Sequence, residues 1–328
     1  MCITIRDLAE ATGFSVGTIS RALKNQTGLT EATRVLVFNA AQEMGYDLSR
    51  LRPGRIRRIA FLLHRQHNNL SSSPFYSIVL HGAEAACRRA GITLSFIAVG
   101  PAEPVMDQIR VHKPDAILCA GYFETELLQS IRTSGKPMVL IDMHLPGYTS
   151  INPNHRLGAY LATQHLIKTG RKRIAMLTGP HAHYSIQERI HGFRKALFDA
   201  KILTNPEYEI AIPHQAEEDK LVRQAVTDLL SMSEPPDALF CYNDHTALTA
   251  MAAFLDKGVK VPDDIAIVGF DDILAAVNAH PALSSIAVDK EELGAEGVAM
   301  LLRNAQQENL ETTLAVKLIV RGSSMQAV

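Results

Sequence analysis

The stretch that decides how this chain is organised is Thr4-Ile5-Arg6-Asp7-Leu8-Ala9-Glu10-Ala11-Thr12-Gly13-Phe14-Ser15-Val16-Gly17-Thr18-Ile19-Ser20-Arg21-Ala22-Leu23. Thr4 is an N-cap residue, and Leu8 and Ala9 face inward from a short helix over 5–11. Gly13 suits the turn that follows. Ser15 is the next cap and opens a second helix over 16–23, with Ile19 and Leu23 on one face. Thr30 predicts a longer third helix over 31–44, stopped at Gly45. Two short helices joined by a tight turn, then a third, describe a helix-turn-helix unit over residues 1–48. In such a unit the second helix enters the DNA major groove and its early residues touch base edges. Thr18, Ser20, Asn25 and Gln26 are short polar donors of the sort that hold phosphates, and Arg21 can give two hydrogen bonds to guanine. The competing reading is a helical cap that binds nothing; the segment that comes next argues against it.

That segment, Ser49-Arg50-Leu51-Arg52-Pro53-Gly54-Arg55-Ile56-Arg57-Arg58, carries five arginines and no acid. A solvated tether would account for Pro53-Gly54, but contact with phosphates accounts for the one-sided charge. The whole-chain net charge of −1 hides this. Residues 1–58 hold nine Arg and Lys against five Asp and Glu, a net of +4, and residues 59–328 hold 24 against 29, a net of −5. A basic module is joined to an acidic body. Gly13-Phe14-Ser15-Val16-Gly17 also fits the GxSxG pattern of serine hydrolases, but that chemistry needs a strand before the serine, where a helix is expected.

Beyond residue 58 the pattern changes. Apolar runs at 59–63, 94–99, 116–119, 138–141, 174–177, 238–241 and 265–268 alternate with amphipathic helical stretches. Continuous apolar strands between helices indicate doubly wound parallel sheets, and their number exceeds one such sheet, so two α/β lobes are expected. Polar residues gather just after the strands: Asp142 and His144; His181, His183 and Ser185 with Arg189 beyond; Asn243-Asp244; and Asp271-Asp272. Ligands of open α/β sheets sit outside the carboxyl ends of strands. Asp, Asn, Arg and His converging there suit a polyhydroxylated ligand, each of whose hydroxyls needs both a donor and an acceptor. Phe75 or Tyr76 is placed to stack on the apolar face of a sugar ring. Singly, Asn243 also reads as a helix cap and Asp271-Asp272 as a cap or turn. The histidines lack metal-ligand spacing, and neither a metal nor a cofactor is expected.

The first-quoted residues, with Thr33-Arg34 and Gly45-Tyr46, resemble the headpiece of the LacI/GalR family of bacterial transcription regulators. The resemblance extends through Pro137-Met138-Val139-Leu140-Ile141-Asp142, Gly170-Arg171-Lys172-Arg173-Ile174, Arg189-Ile190-His191-Gly192-Phe193, Cys241-Tyr242-Asn243-Asp244 and Val261-Pro262-Asp263-Asp264-Ile265 to Asp271. It implies that Val16, Gly17 and Arg21 choose the operator sequence. The DNA-contacting set is then Thr4, Ser15, Val16, Gly17, Thr18, Ser20, Arg21 and Asn25, with Arg50, Arg52 and Arg55 from the linker. It further implies a core similar to periplasmic sugar-binding proteins, with lobes of about 59–157 plus 287–315 and about 158–286 plus 316–328, joined by three crossings. Phe75, Asp142, His183, Arg189, Asn243 and Asp271 match its effector-contacting positions. The chain departs from the family in four places: the linker lacks the usual Asn-x-x-Ala-Arg-x-Leu-like hinge, the segment between Ala98 and Asp115 is short, Asn154-His155 stands where Asp-Asn is usual, and Val288 where Gln is usual.

The expected protein is therefore a dimeric, or higher, repressor of a catabolic operon. It binds a pseudo-palindromic double-stranded operator under control of a sugar, polyol or sugar acid. A solute-binding module without DNA activity is the alternative, and the helix-turn-helix counts against it. An enzyme is not expected, since no phosphate-binding glycine loop follows a strand. Cys2, Cys87, Cys119 and Cys241 are widely spaced, no secretory leader is legible and no apolar run approaches the ~20 residues that cross a bilayer, so the expected compartment is the cytoplasm.

Overall fold

A computed structural model describes residues 3–23, 28–46, 56–65, 74–100, 104–203, 205–213, 218–303 and 309–325. The chain divides into two units, Met1–Arg57 and Arg58–Val328. Arg58, expected in the linker, instead begins the first strand of the core.

The first unit consists of α1 (Ile5–Thr12), α2 (Val16–Leu23) and α3 (Glu31–Glu43). Thr4 and Asp7 form a reciprocal capping box: the Thr4 hydroxyl accepts from the Asp7 amide, and the Asp7 carboxylate accepts from the Thr4 amide at 2.7 Å. Such a cap contributes about 1 kcal/mol. Gly13 ends α1 at φ +72°, where a side chain would be strained, and its amide closes on the Ala9 carbonyl. Thr30 caps α3 through the Thr33 amide. Leu8, Ile19, Ala22, Leu23, Val37, Ala41 and Tyr46 form the small core that these helices share.

In the second unit, β1 (Arg58–His64), α4 (Phe75–Arg89), β2 (Thr93–Val99), α5 (Val105–His112), β3 (Ala116–Ala120), α6 (Thr125–Arg132), β4 (Met138–Ile141) and β5 (Thr149–Pro153) build one lobe. α7 (His155–Lys168), β6 (Ile174–Thr178), α8 (Tyr184–Asp199), β7 (Glu209–Ala211), α9 (Glu218–Ser231), β8 (Ala238–Cys241), α10 (Asp244–Asp256), β9 (Ala266–Asp271), α11 (Leu274–Asn278) and β10 (Ser284–Val288) build the other. The chain then returns through α12 (Lys290–Arg303) and β11 (Glu311–Leu314) to the first lobe and ends on β12 (Val316–Ile319) in the second.

The sheets run β2-β1-β3-β4-β5-β11 and β7-β6-β8-β9-β10-β12. Every pairing is parallel except that of β12 with β10. Within each lobe the first five strands follow the order 2-1-3-4-5, which places a switch point beside the first strand. Helices cover both faces, which is why β3, β5, β6, β8 and β9 are buried along their whole length, and why β3, β6, β8 and the start of β9 read as apolar runs. The runs did not reveal β5, β7, β10, β11 or β12, which are short, polar or exposed.

Three passages join the lobes: β5 to α7, β10 to α12, and β11 to β12. The second is held by a close helix crossing. A Cβ built on Gly294 of α12 would fall 1.9 Å from the Val79 carbonyl of α4, and one on Gly82 would fall 2.0 Å from the Glu291 carbonyl, so the backbones touch with no room for a side chain.

Candidate functional site

Two regions concentrate functional chemistry, one in each unit. In the first, α2 presents Ser15, Val16, Gly17 and Arg21 as exposed residues at its start and along one side, with Thr18 and Ser20 half-buried beside them. Ser15 Oγ accepts from the Thr18 amide at 3.0 Å and lies 2.9 Å from the Thr18 hydroxyl, so the two residues rigidify the helix start. Gly17 and Arg21, four residues apart, share a side; the Arg21 Nε donates to the Gly17 carbonyl at 3.3 Å, which leaves the guanidinium end outward. Thr4 is exposed at the start of α1. Ser15 stands between two helices as a cap, which does not fit a nucleophile elbow. Asn25, Arg50, Arg52 and Arg55 lie outside the described residues, as do Gln26 and most of the basic linker.

In the core, the loops at the carboxyl ends of strands from both sheets converge on a buried polar cluster. Asp142, directly after β4, has φ +59° and is 7% exposed. Its Oδ2 accepts from the Tyr76 hydroxyl at 2.7 Å, and its Oδ1 lies in close polar contact with His155 Nε2 at 2.9 Å. His155 opens α7, where Asn154 serves as the cap by accepting from the Leu157 amide. Nδ1 of His155 faces Arg189, with Nη2 at 3.3 Å and Nε at 3.4 Å. Arg189, on α8, lies flat over the Phe270 ring at 3.7 Å, donates to the Tyr242 carbonyl and approaches Asp271 Oδ1 to 3.5 Å. Asp271 ends β9 at φ +106°. Lys290 at the second lobe passage donates to the carbonyls of Asp271, Asp272 and Val288, closing this side of the cluster.

Burial acts against every charge here, and the neighbours decide the outcome. For Asp142, burial raises the pKa, but His155, Arg189 and Tyr76 together outweigh it and hold the carboxyl below its ordinary value. Burial is the main reason His155 is lowered; Arg189 adds to this, against the pull of Asp142. Asp271 is pushed up to about 6 by burial, which Arg189 and Lys290 offset only in part. Behind it, burial and then the charge of Asp271 raise Asp244 to about 8. Asp244 is fully buried; its carboxylate accepts from the Ser285 hydroxyl at 2.6 Å and the Ile273 amide at 2.8 Å, and so fixes the loop that displays Asp271.

Rings from the two lobes also meet. Tyr122, after β3, stacks on His183, the N-cap of α8, with centroids 4.5 Å apart and planes 5° from parallel. His144, after β4, packs against Tyr184 at 5.4 Å.

Of the six effector candidates, Asp142, Arg189 and Asp271 are joined in one cluster, and His183 stands at the Tyr122 stack. Asn243 caps α10, its Oδ1 accepting from the Thr246 amide at 2.8 Å, which is its structural reading; it is half-buried beside Tyr242. Phe75 is only 4% exposed and packs edge-on to Tyr76, so Tyr76 rather than Phe75 reaches the polar cluster. Asp244 was read only among the polar residues after the strands, and the sequence reading did not name His155, Tyr122, Tyr184 or Lys290 as site residues. Only His155 left a signal, as a departure from the family pattern. Among the described residues no group of three or more His, Cys, Asp or Glu is placed to hold a metal ion.

Comparison with known proteins bears on both regions. The family model described as bacterial regulatory proteins, lacI family, matches residues 4–48, and that of a periplasmic binding protein-like domain matches residues 163–324. The HTH-type transcriptional repressor PurR of Aliivibrio salmonicida is 31% identical over 320 residues, 94% of each chain. A transcriptional regulator CelR–cellobiose complex superposes with a TM-score of 0.75 at 26% identity, covering 98% of this chain and all of the other. The lac repressor dimer bound to operator and the anti-inducer ONPF shares the fold, with a TM-score of 0.71 at 22% identity over 99% of this chain and 100% of that one.

Proposed function

Since the chain belongs to the LacI family of bacterial regulatory proteins and is a DNA-binding transcriptional repressor with a periplasmic-binding-protein-like core, we propose that the cleft between its core lobes takes a small polyhydroxylated effector, a sugar, polyol or sugar acid, that governs a catabolic operon. Its place is that of a regulator, as its relatives are repressors rather than enzymes. The observation that carries the effector reading is the pair of buried carboxylates at the strand ends, Asp271 beside Arg189 and Asp142 linked to it through His155. Oδ1 of each accepts no hydrogen bond among the described residues. Two hydroxyls of one ligand would donate to those oxygens and accept from the guanidinium, which suits neighbouring hydroxyls on a sugar or polyol. His183 and Asn243 stand at the same strand ends and join the proposed contact set, in which Tyr76 rather than the buried Phe75 faces the ligand.

On the DNA side, Arg21 reads a guanine, Val16 offers methyl surface to thymine, and Thr4, Ser15, Thr18, Ser20 and Asn25 anchor the headpiece on phosphates. Arg50, Arg52 and Arg55 add sequence-independent phosphate contacts and a steep salt dependence. The protein acts in the cytoplasm as a homodimer whose two headpieces meet the half-sites of a pseudo-palindromic operator. Phe96 on the edge strand β2, with Leu274 and Val277 on α11, supplies exposed apolar surface for the subunit contact. Effector binding then changes operator affinity only as far as it favours one lobe arrangement over the other.

A thermal-shift screen of the full chain tests the effector reading. Saturating sugar, polyol or sugar acid should raise the melting temperature by several degrees, and Asp271→Ala should abolish the response while leaving the operator footprint in place. Stabilisation only by flat ligands that lack hydroxyls would overturn it. A footprint over one lone, non-palindromic half-site would overturn the dimer.

A further inference from the structure

The Asn154-His155 departure puts a titratable ring where the two lobes meet. His155 belongs to α7, which packs with α8, β9 and β12 in the second lobe, whereas Asp142 ends β4 of the first. The ring is 2% exposed and has a charged side chain at each nitrogen: Asp142 Oδ1 at 2.9 Å from Nε2, Arg189 at 3.3–3.4 Å from Nδ1. Arginine can only donate, so Nδ1 must be the accepting, unprotonated nitrogen. The single ring proton then sits on Nε2, facing the carboxylate. A second proton would have to go on Nδ1, against the guanidinium, and would set two buried cations side by side.

We infer that His155 is a positioning residue of the cleft: held as the neutral Nε2–H tautomer, it ties Asp142 of one lobe to Arg189 of the other, and acid breaks the tie. An asparagine amide also offers a donor and an acceptor, but it is shorter, so it does not reach the Nε2 position while facing Arg189. Among the described residues, these groups bear on the titration of the ring. Asp142 stands on one side with Tyr76 of α4 behind it, Arg189, Glu188 and Tyr184 come from α8, and Asp271 lies beyond Arg189 with Lys290 behind it. Only Asp142 and Glu188 favour an imidazolium; burial and Arg189 oppose it. What the tie controls rests on the cleft being the effector site, but the tie itself is read without any ligand, so the two readings fail separately.

The test uses the full chain labelled with 15N-histidine, with the His155 signals identified by their loss in His155→Asn. At pH 7.5 the Nδ1 resonance should lie in the unprotonated range and Nε2 in the protonated range, with a titration midpoint below the ordinary 6.5. An Nδ1–H tautomer, or a midpoint at or above 6.5, would overturn the inference. The pH profile of thermal unfolding supplies a readout that a packing role would not move. Because the folded-state pKa is lowered, the unfolded chain takes up the proton first as pH falls below 6.5, so the wild-type chain loses stability there. The melting temperature of wild type relative to His155→Asn should therefore fall by about 2–4 °C per pH unit between the two midpoints and stay flat above pH 7. Asp271 titrates in both chains and largely cancels in the difference. If Asn lowers the melting temperature by the same amount at every pH, His155 is packing only and the inference fails; should His155→Asn not fold, His155→Gln assigns the signals and the NMR midpoint decides the matter.

Discussion

In the headpiece, Ser15, Val16, Gly17 and Arg21 sit within one short helix and its cap, and all four are exposed. In the core, Asp142, His155, Arg189 and Asp271 come from four separate elements, and all four are buried. The first set faces water, so its side chains contribute little to folding and are open to the DNA contacts proposed for them. The second set is desolvated at all times, so each charge must be matched by its neighbours before any ligand binds. The same residue type illustrates the difference. Arg21 makes one weak contact to its own helix, whereas Arg189 is held by a ring, a carbonyl, an imidazole and a carboxylate.

Substitutions at these two arginines should separate the regions most widely. Arg189→Met leaves Asp271 without its buried counter-charge and the Tyr242 carbonyl without its donor. Loss of one partner of a buried pair costs about 3–5 kcal/mol, to be seen as a lower denaturation midpoint of the core. A loss below about 1 kcal/mol would mean that the cluster is solvated, and the contrast would collapse. Next in size is a pH effect confined to the core. Asp244 is raised to about 8 from 3.8, so the folded chain holds a proton that the unfolded chain has lost. Stability from this group is present at low pH and declines by about 1.4 kcal/mol per unit as pH rises toward 8. Asp244→Asn should remove that decline, measured as melting temperature against pH from 6 to 9.

Smaller effects are expected from the headpiece, on binding rather than stability. Arg21→Ala should cost about 1–3 kcal/mol of discrimination against the wrong base pair in competition binding, with the melting temperature unchanged. An unfolded headpiece would contradict the exposure of Arg21. The smallest effect is that of Gly17→Ala. A Cβ there meets nothing closer than Ser15 Oγ at 3.8 Å, so the substitution should stabilise the helix by up to about 1 kcal/mol. It should also shift operator preference, because a methyl group would replace bare backbone at the reading surface.

How far each region could be read in advance follows from the same contrast. α1, α2 and α3 fall within a residue of their expected bounds, because Thr4, Ser15, Thr30, Gly13 and Gly45 act on their own neighbours. The central strands were legible because parallel strands buried on both faces are apolar throughout. β11 and β12 were not, since each is a short edge strand with one partner and no fully buried residue. In the cleft, the polar residues after the strands were visible as a set, but not which of them would meet. Asn243 turned to its own helix, Phe75 was buried behind Tyr76, and His155 became the bridge.

The sequence alone thus determined the helix-turn-helix, the alternation that makes a two-lobed α/β core, and the kinds of side chain at the strand ends. Those features depend on interactions between residues a few positions apart, or on burial that periodicity records. Only the tertiary structure decided the pairing of Asp142 with His155 and of Arg189 with Asp271, the proton position on the imidazole, and the role of Asp244 behind them. Each of these depends on distances between side chains far apart in the chain, and on how much water is excluded between them. Local sequence carries neither quantity.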